Sequence, residues 1–130
     1  MSFRFQSAAA LLCLACALPA FAQTPPNCFA SGLTAPQRIA ACTATLNDAA
    51  LPAGTKALAY FARGEALSDT GETARALADL NAGLAIAPSD TTALLARSKL
   101  KEAQGDLAGA ETDTTAAIMA DGTLGEAYVR

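Results

Sequence analysis

Four cysteines, twelve carboxylates and no histidine bound the chemistry open to this chain of 130 residues. Cys13 and Cys16 have the C-x-x-C spacing of a redox dithiol or of half a zinc site. Both lie in an apolar stretch, Ala8 to Leu18, that follows Arg4 and precedes Pro19 and the small-x-small triplet Ala20-Phe21-Ala22. That is the layout of a secretory signal, with cleavage before Gln23. The apolar run to Ala22 would span only about 22 Å as a helix, short of the roughly 30 Å of bilayer hydrocarbon. Neither cysteine follows the Leu-small-small triplet of a lipoprotein signal. The C-x-x-C pair therefore leaves with the signal, residues 1–22.

Cys28 and Cys42 remain, an even number in a chain sent to an oxidising compartment, periplasmic or secreted. A disulfide is the expected state, with two buried free thiols as the alternative. Two cysteines without histidine cannot complete a tetrahedral zinc site. The carboxylates offer two pairs at helical i,i+4 spacing, Glu65 with Asp69 and Glu102 with Asp106. Such pairs can serve as acid and base. With twelve acids on short helices they arise by chance, and they read as solvated faces. There is no glycine-rich phosphate loop, no Ser–His–Asp set and no calcium-loop pattern. No catalytic residue, cofactor site or metal site is expected.

Without the signal, eight Lys and Arg face twelve Asp and Glu, a formal charge of −4. No basic run exists. Nucleic acids and anionic membrane surfaces both select for clustered cations, so neither is an expected partner of the mature chain.

The elements that would hold these residues are helices. Residues 23–33 carry Pro, Asn and Gly without periodicity and read as a leader coil. Thr34 can cap a helix with Pro36 in its first turn, and Ile39, Cys42, Leu46 and Ala49 or Ala50 recur on one face. This helix, 34–51, is expected to end near Leu51-Pro52-Ala53-Gly54. A Cys28–Cys42 bridge would staple the leader across it. From residue 57 a period of 34 appears. Residues 57–90 contain Tyr60, Gly64, Leu67, Gly71, Ala76, Leu80 and Pro88; residues 91–124 answer with Leu94, Arg97, Gly105, Ala110 and Asp113. Arg63 and Arg97 share one phase, Asp79 and Asp113 another, so an Arg–Asp pair is expected inside each unit. Residues 34–51 fit the second half of a preceding unit, and Ala127-Tyr128, in 125–130, repeats Ala59-Tyr60 as the start of a further helix.

With aromatic, Gly, Ala and Pro at these offsets, residues 57–124 resemble the tetratricopeptide repeat. Leu67 and Leu80 stand where an aromatic is usual, Arg63 stands at a normally apolar place, and Ser98 and Gly122 replace the packing glycine and closing proline of the second unit. The resemblance implies an all-α stack of antiparallel helix pairs, a short superhelix over 34–130. An ordinary helical bundle is the alternative. It also implies a concave wall built by the first helix of each pair, which grips a protein or peptide partner. Carried over by position, that wall is Leu58, Phe61, Glu65 and Ser68, then Thr92, Leu95, Lys99 and Glu102. Members that clamp terminal carboxylates use several cations there. Here only Lys99 is cationic, which argues against that specialisation.

Tyr60 fits the core position, leaving Phe61 either as an anchor for the partner or buried under the N-terminal helix. The function expected is an exported scaffold or adaptor; the alternative is a module that self-assembles into a homo-oligomer, or a piece of a longer array.

Overall fold

A computed structural model describes residues 27–123; the expected signal (1–22) and further helix (125–130) lie outside them. The described residues form five helices and no strand: α1 (Ala35–Leu46), α2 (Ala53–Asp69), α3 (Thr73–Ile86), α4 (Thr91–Ala103) and α5 (Leu107–Ala120). Helices α2 with α3 and α4 with α5 pack as tight hairpins, α1 packs on α2, and α3 joins the two hairpins through α4. The architecture is an all-helical stack of helix pairs.

Local chemistry explains the boundaries. Thr34 caps α1 in a capping box with Gln37, whose side chain returns to the Thr34 N–H at 2.9 Å. The helix stops at Leu46, five residues before the expected end. Asn47 closes it, and the Asp48 carboxylate accepts from Ala50 N at 2.9 Å, so a side-chain turn replaces the last helical turn. Pro88 follows the end of α3, and Asp90 caps α4 by accepting from Ala93 N at 2.8 Å.

The two hairpin turns are the same device placed 34 residues apart. At the first, Glu72 N bonds to Leu67 O and Gly71 N to Ser68 O; at the second, Asp106 N bonds to Lys101 O and Gly105 N to Glu102 O. Both are Schellman closures, which need a left-handed residue just past the helix, and Gly71 and Gly105 have φ of 80° and 83°. Nothing lies near the position a Cβ would take at either glycine. Gly71→Ala and Gly105→Ala should therefore each cost about 1 kcal/mol from backbone strain alone, adding when combined because the sites are well separated. Urea unfolding of the two single variants and the double checks this.

Two clusters form the core. Leu80, Leu84, Ala93, Leu94 and Ala117 bind the hairpins together. Cys28, Cys42 and Ala59, with Leu46 and Ala62 against them, join the leader and α1 to α2.

Candidate functional site

The interior of each hairpin is organised around an ion pair. Arg63 donates from Nε and Nη2 to the two carboxylate oxygens of Asp79, at 2.7 and 2.8 Å. Arg97 does the same to Asp113, at 2.8 and 2.6 Å. Each arginine also reaches the preceding element: Arg63 Nη1 donates to Thr43 Oγ1 of α1 at 3.1 Å, and Arg97 Nη1 to Asn81 Oδ1 of α3 at 2.7 Å. One side chain thus ties three helices together, which accounts for an arginine at a place where the resembled repeat is apolar. The bidentate bond to Asp79 raises the Arg63 pKa, against the opposing effect of burial.

The second hairpin is the more polar of the two. Gly64 lets α2 approach α3 so closely that a Cβ there would sit 3.3 Å from Ala76 O and from Leu80 Cγ. In the same phase, Ser98 donates its hydroxyl to Ala110 O at 3.0 Å and lies 2.8 Å from Thr114 Oγ1. Lys101 stands in the phase of Leu67 and pairs with Asp113 at 2.9 Å. Hydrogen bonds replace the Gly–Leu contact, so the divergence of the second unit is a change of packing chemistry.

With α2 and α4 held alongside each other, their outer faces bound a groove. Its first part, a hollow of about 330 Å³, is lined by Leu58, Phe61 and Ala62 of α2, Ala93 and Ala96 of α4, and Phe29 of the leader. Its second part, about 400 Å³, is lined by Ser68 and Asp69 of α2 and by Leu95, Lys99 and Leu100 of α4. Glu65, Thr92 and Ala96 border both parts, so the two run into one another. Of the eight residues assigned to the wall from sequence, Leu58, Phe61, Glu65, Ser68, Thr92, Leu95 and Lys99 line this groove. Glu102 does not; it is exposed on the last turn of α4.

Phe61, expected as an anchor for the partner or buried under the N-terminal helix, is half-buried and lines the groove. Its ring lies on Gly83 of α3, where an added Cβ would meet Cε1 at 2.3 Å, and it packs against the cluster that joins the hairpins. Its remaining surface forms the groove floor. Tyr60 is half-buried, outside both core clusters, with the Arg63 guanidinium 5.8 Å from its ring centre. The expected core role of Tyr60 therefore belongs to Phe61. The signal for this was Gly83, because a glycine inside a helix costs stability unless something needs the space.

Phe29 is the groove residue that helical phase could not reveal, because it belongs to the leader. The Cys28–Cys42 disulfide fixes its neighbour, and both cysteines are fully buried. Arg38 adds bonds from its guanidinium to Cys28 O and Ala30 O, at 3.2 and 3.4 Å. Phe29 is left 44 % exposed at the mouth of the hollow.

Among the described residues, no group of three or more His, Cys, Asp or Glu is placed to hold a metal ion. No described helix is long and apolar enough to cross a membrane. No family model, curated protein or solved structure matches this chain.

Proposed function

We propose that this chain is an exported tetratricopeptide-type repeat module that holds a segment of another polypeptide in the groove between α2 and α4, and performs no catalysis of its own. The observation that carries the reading is the groove itself: residues in one phase of two successive first helices line a continuous apolar-floored channel. The 34-residue recurrence of the Arg–Asp pairs and turn glycines supports the repeat assignment. The Cys28–Cys42 bridge is compatible with an oxidising, extracytoplasmic compartment.

From Leu58 to Asp69 the α2 wall runs about 16 Å, enough for roughly five residues of extended chain. The test is selection of displayed random peptides on the mature protein, followed by affinity measurement on variants. Leu58 is 54 % exposed and sits at the groove edge, so Leu58→Ser should weaken a selected peptide at least fivefold while leaving the melting temperature in place. Unchanged affinity would remove the groove from the account. Phe61 and Leu95 are poorer choices, because both also pack against the core.

One observation favours a second reading, self-assembly. Ala108, Glu111, Thr112, Thr115, Ala116 and Met119 form a stripe along α5 beside an open hollow of about 610 Å³, and Met119 is 81 % exposed. A dimer seen by light scattering and dispersed by Met119→Lys would support that reading, and a monomer would count against it.

A further inference from the structure

The groove is chemically polarised along its length. At one end the lining is apolar: Phe29, Leu58, Phe61, Ala62, Ala93 and Ala96. One or two turns further along α2 come Glu65 and Asp69, both exposed. Neither has an ion-pair or side-chain hydrogen-bond partner among the described residues, so their charge is not spent within the fold. Asp69 is also the last residue of α2, where the helix dipole presents its negative end. Facing them, Lys99 is the one cation of the lining. Asp90 adds a further carboxylate at the apolar end, occupied in capping α4.

Resting on the reading of the groove as a peptide site, we propose that its occupant is a cationic segment: one large apolar side chain seated over Phe61, with Lys or Arg two to four residues away. The spacing follows from geometry. Along α2, Glu65 and Asp69 lie about 6 and 12 Å from Phe61, which an extended chain covers in about two to four residues. The apolar hollow, about 330 Å³, receives the anchor. The two carboxylates and the end of the helix receive the cation in a site open to water, so the attraction is modest and screened by salt.

The experiment uses the mature, disulfide-bonded chain and three acetylated, amidated peptides. Each has one central leucine in a Gly/Ser frame, with the positions two to four residues beyond it filled by lysine, glutamine or glutamate. Fluorescence anisotropy at about 50 mM NaCl should place them in the order lysine, glutamine, glutamate. The lysine peptide should lead glutamine by about tenfold, falling to under threefold at about 300 mM. Glu65→Gln with Asp69→Asn should bring the lysine peptide to the level of the glutamine peptide, whereas Glu111→Gln on α5 should leave it unchanged. Equal binding of the lysine and glutamine peptides, or a preference for glutamate, would overturn the cationic preference while leaving the peptide groove standing. Lysine binding untouched by the Glu65/Asp69 variant would overturn it too, since the attraction would then come from net charge. No binding by any of the three would overturn this inference, and a failed peptide selection alongside it would take the groove reading as well.

Discussion

Replacing Asp113 with alanine is expected to lower the stability of the fold by about 3 kcal/mol, because it strands two cations inside a helix hairpin. Its side chain is 3 % exposed and accepts from Arg97 Nε and Nη2 and from Lys101 Nζ. Without it, Arg97 and Lys101 face each other at the base of α4 with only about a fifth of their side chains in water. Asp79 serves one cation, Arg63, so Asp79→Ala should cost less. That ordering separates a charge network from simple loss of packing, which would make the two equal. Asp113→Asn keeps an acceptor and removes the charge, and should fall between alanine and the native residue. Chemical unfolding of the three variants provides the comparison.

The same group sets an acid limit. Burial pushes the Asp113 carboxyl up, but the bonds from Arg97 and Lys101 outweigh it, and the net pKa lies below the ordinary carboxylate value. A folded-state pKa below the unfolded one means that the unfolded chain takes up the proton first. The stabilisation is thus whole above the unfolded value, about 3.9, and drains away as pH falls through the folded value. Stability of the native chain should fall on acidification across this range more steeply than that of Asp113→Asn.

Reducing the Cys28–Cys42 bridge is the second large perturbation. The bond closes a loop with a sequence separation of 14, worth about 3 kcal/mol in the chain-entropy description. In a domain of this size that corresponds to a drop of roughly 15 °C in melting temperature. Cys28→Ala with Cys42→Ala should reproduce the drop without reductant and make the protein insensitive to it. The loss should also reach the groove. Phe29 is tied to α1 through its bridged neighbour and the two Arg38 bonds, and reduction removes the bridge. Peptide affinity should fall after reduction even below the new melting transition, and Phe29→Ser in the oxidised protein should show the same loss with its stability intact.

Much of this was legible in the residues because it depends on short-range rules. Thr34 announces a helix start, Gly71 and Gly105 recur in phase at the two turns, and Arg63 and Arg97 point to Asp79 and Asp113 by shared phase. What was hidden depends on three helices meeting. The exchange of roles between Tyr60 and Phe61 turns on whether the space above residue 83 is empty, and so on a glycine in another helix. The early end of α1 turns on one aspartate side chain outbidding the backbone. Phe29 joins the groove through a covalent bond made by its neighbour, which no periodicity encodes. Glu102 shares the phase of Ser68, yet it is exposed and is not part of the groove lining.

The most direct measurement is amide chemical-shift mapping of the isotope-labelled, oxidised protein titrated with a peptide selected from the displayed library. Saturable shifts at Leu58, Phe61, Glu65, Thr92, Leu95 and Lys99, with α5 silent, are the predicted result. Shifts centred on Thr112 and Met119, or none anywhere, would contradict a binding groove between α2 and α4.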